Sequence, residues 1–354
     1  MAMMKNFETE DRIKATIYGN CVGDTIGLLT EFLSKRDAKI YYGKVWKSLE
    51  FEHKSLCPDM HRTRWQEGDW TDDSDQMILI LQSLLNSDGQ IVNTDFGEKL
   101  LFWMDNGFPE LGDNGGMGIG ATTYNVLQHK DYRTDPHKAA REVWEASGKT
   151  IAPNGAVMRT SILGIHQYWN TDAVVANTVN ICKTTHYDPR CQASCVAVVT
   201  AISLMLKRGE RHVKWKGTYK VKEIIEDSYE MASKCLETEE EKQELRKYMT
   251  CENLSDLKLE GSRKIGYTYK CLGSGFWALK QKDFRKATQC LVMEAGDADT
   301  NCAVAGALLG CKLGLAALPK TWVWKLKHRA WLDKKINRFL NLQTEMREKS
   351  LKSD

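Results

Sequence analysis

Apolar residues recur every three to four positions through most of this chain, the period of helices buried along one side. The period predicts helices over about 9 to 33, 73 to 86, 94 to 105, 118 to 128, 137 to 146, 154 to 169, 171 to 183, 188 to 207, 221 to 235, 240 to 249, 264 to 280, 283 to 294, 300 to 315 and 320 to 342. Alternating β-branched runs are nearly absent, with one weak case around Ile40 to Val45. Only six prolines interrupt the pattern. The expectation is therefore an all-α single domain over 1–342 whose loops carry function, followed by a frayed polar tail at 343–354. The most charged stretch, Lys207 to Arg263, contains Glu239-Glu240-Glu241-Lys242 and reads as a peripheral helical segment with a solvated face.

Composition narrows the function classes. A chain of 354 residues with 42% hydrophobic content can bury a substantial core. The net charge of +3 comes from charges spread along the chain, so nothing demands nucleic acid or an anionic membrane. The eleven cysteines are odd in number, contain no C-x-x-C and mostly sit in apolar stretches, as reduced core thiols do. With no signal peptide, that pattern predicts a reducing cytosolic location, the nucleus being the alternative. No apolar run approaches the ~20 residues of a membrane helix. A monomer is the simplest expectation.

The candidate chemistry lies in two acidic clusters, Thr71-Asp72-Asp73-Ser74-Asp75 and Asp297-Ala298-Asp299-Thr300, each opening into an apolar helical run. Oxygen-only donors suit Mg²⁺, Mn²⁺ or Ca²⁺ better than zinc or copper. Acids brought together would raise one another's pKa unless a cation compensated them. Asp297 and Asp299 would stand roughly 200° apart within a helix, so they converge only from a turn at its N-terminal edge. Each cluster taken alone could be a helix cap, since Asp, Ser and Thr are preferred there. A cap needs one side-chain oxygen, and each cluster supplies several.

Other segments gather weaker signals. Gly19, Gly23 and Gly27 stand at helix spacing around Asp24, which suits close helix packing. Glu31 shares a helical face with Asp24 if the helix continues, or lies just past its end. The glycine-rich run from Leu111 to Thr123, including Gly116, Gly118 and Gly120, leads into a helix and suits backbone amides that cradle a phosphate, without being a P-loop or a Rossmann turn. Pro153-Asn154-Gly155 with Arg159 pairs a turn with an amide and a cation, and His186 ends a helical run where loops should gather.

Taken together, these motifs resemble the ADP-ribosylglycohydrolases, the group containing dinitrogenase reductase-activating glycohydrolase and the animal ADP-ribosyl-acceptor hydrolases. The resemblance runs from Gly19 to about Leu315: GNCVGDTIGLLTEF at 19 to 32, WTDDSDQM at 70 to 77, GMGIGATT at 116 to 123, NGAVMR at 154 to 159, TH at 185 to 186 and GDADTNCAVAGALLG at 296 to 310. It implies a compact orthogonal bundle of helices and a binuclear Mg²⁺ centre, with Mn²⁺ able to substitute. The implied metal ligands are Thr71, Asp72, Asp73, Asp297, Asp299 and Thr300. Glu31 matches the acid beside the scissile bond, with Asp73 and Asp299 as alternative proton acceptors. Gly116, Gly118 and Gly120 look like the phosphate cradle, and Asn154, Gly155, Arg159 and His186 resemble the substrate pocket. The implied substrate is ADP-ribose joined to a protein or a small molecule, and the implied reaction is hydrolysis of that glycosidic bond. A non-catalytic crystallin-like or ADP-ribose-binding descendant is the alternative, and a Mg²⁺-dependent hydrolase of another nucleotide conjugate is a third reading. Three departures stand out: Ala295 and Ala298 where the late motif commonly reads GGDTDT, and Ser74 in place of the usual Thr after the first acids. Asp75 has no assigned role, and the loop from Tyr42 to Gly68 offers no basis for choosing a substrate.

Overall fold

A computed structural model describes residues 2–261 and 264–353; Arg263, which closes the charged stretch, and Asp354 lie outside the described residues. Seventeen α-helices follow one another: α1 (Ala2–Gly27), α2 (Lys35–Tyr42), α3 (His53–Leu56), α4 (Asp72–Asn86), α5 (Asn93–Asn106), α6 (Ala121–Leu127), α7 (Pro136–Ala146), α8 (Ser161–Ile165), α9 (Thr171–Cys182), α10 (Pro189–Lys207), α11 (Val221–Ser233), α12 (Glu239–Met249), α13 (Thr268–Leu279), α14 (Phe284–Val292), α15 (Ala298–Leu313), α16 (Lys320–Lys325) and α17 (Arg329–Ser353). Among the described residues there is no strand, only isolated bridges at Pro153 with Tyr267 and Val213 with Tyr219. The expected all-α class is the observed one.

The centre of the bundle is the pair α1 and α15. Helix α15 is apolar on every side and buried from Ala298 to Cys311, with α13, α14, α10 and α4 packed around it. Glycines let the two backbones touch. A methyl group on Gly23 would lie 2.0 Å from the Cys302 carbonyl oxygen, and one on Gly306 2.0 Å from that of Gly19. The i, i+4 glycines are thus a packing device, and they deliver both acidic clusters to one end of the pair.

Several expectations need correction. Helix α1 stops at Gly27, so Glu31 lies in the turn beyond it. The weak strand case at Ile40 falls on α2, which Ser34 starts by accepting the Asp37 amide at 3.1 Å. The run 154 to 169 is α-helical only over α8: residues 155–160 are successive turns, and past Ile165 Gln167 turns to φ +53°. The helix expected over 320 to 342 breaks between α16 and α17, where the Lys327 amide donates to the Gly68 carbonyl at 2.9 Å. The supposed tail is ordered helix. Gln343 is buried, its Oε1 accepting the Gln167 amide at 2.9 Å and its amide nitrogen lying 3.0 Å from His166 Nδ1. Arg347 donates to the Tyr168 hydroxyl at 2.6 Å. Polarity after residue 342 therefore marks a helix face, not the end of the fold.

The 19-residue helix α10 does have the length and apolar composition of a membrane span, contrary to expectation, but 89% of that window is buried against its helical neighbours. The charged segment forms α11 and α12 with exposed acids; Thr238 and Glu241 close a reciprocal cap at the start of α12. The eleven cysteines are free thiols, most of them buried.

Candidate active site

Both acidic clusters sit at helix N-termini, yet neither caps its helix. Thr71 and Asp297 occupy the N-cap positions of α4 and α15, and neither side chain makes a capping hydrogen bond. The start of α4 is capped from elsewhere: Asp24 of α1 accepts the Thr71 amide at 3.0 Å and the Ser74 amide at 2.9 Å. That leaves the side chains of Thr71, Asp72 and Asp73 free to face the late cluster. The Thr71 hydroxyl lies 3.3 Å from Asp73 Oδ2 and 3.4 Å from Asp299 Oδ2, joining the two halves. Asp297 and Asp299 do converge from a turn, which Ala295 and Gly296 form with φ of +59° and +72°.

These residues open onto a cavity of about 290 Å³, lined by Asp72, Asp73, Asp297, Asp299 and Thr300 with Glu31, Phe32, Gly118, Gly120, Asn154, Gly155 and His186. Glu31, Asp297 and Asp299 each offer a carboxylate oxygen, all within 4.8 Å of one another, and could hold a metal ion. The donor set fits a hard divalent cation. Every donor is an oxygen, and Asp73 Oδ1 is buried with no hydrogen-bond partner, a costly state for a carboxylate unless a cation meets it.

The electrostatics agree. Burial, followed by the neighbouring acids, holds Asp72, Asp73 and Asp299 well above the ordinary 3.8, and Asp297 is raised for the same reasons. Burial lifts Asp24 to about 6. A carboxylate raised on folding binds protons more tightly in the folded state, so its stabilisation is complete below about 4 and is lost as pH climbs through 6 and beyond. The expected result is a melting temperature in EDTA that falls between pH 5 and pH 8, and an increment from added Mg²⁺ that widens over the same range. An increment that is flat in pH would uncouple the cation from these acids.

The cavity wall is positioned by a buried polar chain. Gln76 donates to Asp72 at 3.2 Å, Arg159 donates to Gln76 at 2.8 Å and to the Thr185 hydroxyl at 2.7 Å, and Thr185 lies 2.7 Å from His186 Nδ1. Burial, then the charge of Arg159, pushes the His186 pKa well below its usual value, so the ring is neutral. Asn154 donates to Asp297 at 2.7 Å, and a methyl on Gly155 would meet His186 at 3.0 Å.

Two expected substrate contacts are displaced. Arg159 is fully buried behind the cavity, wedged between Gln76 and Thr185, and does not line it. Gly116 is also off the lining: it packs on the Trp103 ring, whose Nε1 donates to Asp75 at 2.9 Å. Asp75, which also accepts from Trp70 at 2.8 Å, thereby gains a supporting role under the glycine loop. Gly118 is needed where it stands, at φ +94°, since a methyl there would be 2.4 Å from Asp72 Oδ1. Residues 57 to 65 carried no signal in sequence. They nonetheless supply His61, which touches Glu31, and Arg62, which braces the turn around it.

Comparison with known proteins fits this geometry. A family model described as ADP-ribosylglycohydrolase matches residues 6–349. An ADP-ribosylarginine hydrolase, Tri1 of Serratia proteamaculans, is 25% identical over 325 residues, covering 90% of this chain and 76% of that protein. The Tri1 of Pseudomonas putida is 24% identical over 331 residues, 91% of this chain and 75% of its own. An uncharacterized protein of Archaeoglobus fulgidus is 24% identical over 350 residues, covering 94% and 97%. Among solved structures, an ADP-ribosylglycohydrolase-related protein complex superposes with a TM-score of 0.67 at 23% identity, covering 95% of this chain and 99% of that one, a likeness of fold.

Proposed function

The chain belongs to the ADP-ribosylglycohydrolase family, and from that premise we propose that it hydrolyses the glycosidic bond between ADP-ribose and an acceptor, with two Mg²⁺ ions as cofactor. The observation that carries this reading is the convergence of both acidic clusters and Glu31 on one cavity, with a buried Asp73 oxygen left without a partner. Thr71, Asp72, Asp73, Asp297, Asp299 and Thr300 would hold the ions. Bound there, the ions would supply positive charge that orients ribose hydroxyls and makes water more acidic.

The chain's own groups divide the remaining work. Bond cleavage at the anomeric carbon has oxocarbenium character, so the departing acceptor needs a proton and the attacking water must lose one. Glu31, in the turn beside the acids, would give the one proton and take the other. Ala121, Thr122 and Thr123, whose amides begin α6 without intrahelical acceptors, line the cavity with Gly118 and Gly120 and would suit the diphosphate. His186 would present a neutral imidazole to the cavity, and Asn154 fixes Asp297.

The two Tri1 relatives are named ADP-ribosylarginine hydrolases, so the arginine N-glycoside is the first linkage to test. Defined arginine, serine, O-acetyl and polymer conjugates should be incubated with the protein in Mg²⁺ and in EDTA. Release of ADP-ribose from at least one, abolished by EDTA, is expected. Glu31→Gln should slow that release by roughly 10² to 10⁴-fold while calorimetry still records Mg²⁺ binding. Tight ADP-ribose binding without release from any conjugate would mark a non-catalytic binder instead.

A further inference from the structure

The turn that carries Glu31 is held from one side by residues 57 to 65, which contribute nothing to the two acidic clusters. Arg62 is fully buried and spans the turn: Nε donates to the Leu29 carbonyl at 2.8 Å, another guanidinium nitrogen donates to the carbonyl of Glu31 itself, and the third reaches Asp59. The Arg62 amide is fixed in turn by Asp59 at 2.7 Å. The neighbouring His61 therefore starts from a rigid backbone. Its Nε2 lies 2.5 Å from Glu31 Oε2, its Nδ1 lies 2.9 Å from the Arg64 guanidinium, and its ring rests on Phe32 with centroids 4.9 Å apart. Phe32 cannot slide away, because its φ of +61° is pinned by the bond from its amide to the Gly296 carbonyl at 2.6 Å.

The hydrogen-bond pattern fixes the direction of each contact. A guanidinium has donors only, so Nδ1 of His61 accepts from Arg64 and the ring proton sits on Nε2, pointed at the carboxylate. Glu31 Oε2 is thus committed to His61, while Oε1 takes no hydrogen bond from any described residue. A glutamate has three side-chain torsions, and an acid that must meet one bond in substrate loses rate if it samples others.

We propose that His61 is a positioning residue for Glu31: donating from Nε2 to Oε2, it holds the carboxylate in the one orientation that turns Oε1 toward the cavity. The inference rests on the role assigned to Glu31 above. His61 does not line the cavity, so it acts on substrate only through Glu31. Arg64 and the Glu31 carboxylate both demand the Nε2–H tautomer, and Phe32 sets the ring plane.

The test compares His61→Ala with His61→Gln, since glutamine keeps a side-chain N–H donor of similar reach. On whichever conjugate the unaltered protein cleaves, His61→Ala should lower kcat by roughly tenfold or more with KM changed by less than about twofold, and His61→Gln should recover most of the loss. In a Glu31→Gln background, His61→Ala should add nothing further. Equal losses in the alanine and glutamine variants, or a full additional loss in the Glu31→Gln background, would assign His61 a merely structural part and overturn the proposal. Nitrogen-15 spectra of the imidazole give a readout independent of turnover: the Nε2–H tautomer is expected, persisting in Arg64→Ala because Glu31 Oε2 still accepts that proton. A dominant Nδ1–H form in the unaltered protein would overturn the positioning role. If no ADP-ribose conjugate is cleaved, the proposed function fails while the spectra still decide the geometry of the pair.

Discussion

Asp299→Asn will abolish cation-dependent release of ADP-ribose and leave the protein more resistant to heat in EDTA than the unaltered chain. Asp299 is buried, and its Oδ1 accepts the Thr300 amide at 2.8 Å, an interaction asparagine keeps with its own carbonyl oxygen. What asparagine removes is the charge. Burial and the neighbours Glu31, Asp73 and Asp297 already oppose that charge, so its loss relieves the cation-free protein. The same loss deprives a cation of one of its few anionic ligands, and activity should fall by more than about 10²-fold. Asp73→Asn should behave alike, because its unpartnered Oδ1 has no other purpose among the described residues. The two signs together separate a functional acid from a structural one, whose removal would lower both activity and melting temperature. Full Mg²⁺-dependent activity in both variants would sink the metal assignment.

The second large effect is on folding. Gly23→Ala places a methyl group 2.0 Å from the Cys302 carbonyl oxygen, and the obstacle is backbone rather than a side chain that could swing aside. Relief requires α1 and α15 to separate, which opens the core and shifts Asp24 relative to the α4 start that it caps. Overpacking in a tight core costs roughly 1 to 3 kcal/mol and more where nothing can yield. At this chain length that amounts to a fall in melting temperature of about 1 to 4 °C, and more where the cost is higher, read by calorimetry. Gly120→Ala is the matching control: nothing lies within 4 Å of the added methyl and φ is −68°, so stability should hold. Equal stability of both variants would mean that the α1 and α15 backbones do not meet as described.

How much of this was legible in sequence depends on how local its cause is. Helices α4, α5, α10 and α15 announce themselves because their apolar period reflects one buried face or wholly buried surroundings. The turn holding Asp297 and Asp299 followed from helical geometry alone, and Asp72, Asp73, Asp297, Asp299 and Thr300 do meet on one cavity, while the expected ligand Thr71 stands just behind its lining. Where a distant partner decides, sequence misled. The α16 break depends on Gly68 meeting Lys325, the end of α8 on Gln343, and the cap of α4 on an acid 47 residues upstream of Thr71. Arg159 and Gly116 belong to the right motifs but support the cavity from behind, a distinction between touching substrate and holding what touches it that a motif does not carry. His61 lay in a polar loop without periodicity, where only contact with Glu31 gives it meaning.

Arg62 divides that loop into two ranks with different freedom to change. Its own side chain is sunk beneath the Glu31 turn, whereas Thr63, Gln66 and Glu67 face solvent and take no part in holding His61. Anchoring at one internal residue means that the outer rank can be rewritten, lengthened or recharged by mutation while the acid stays where it is. A lineage can therefore alter what approaches this centre without rebuilding the machinery underneath, with the buried guanidinium as the fixed point about which such divergence turns.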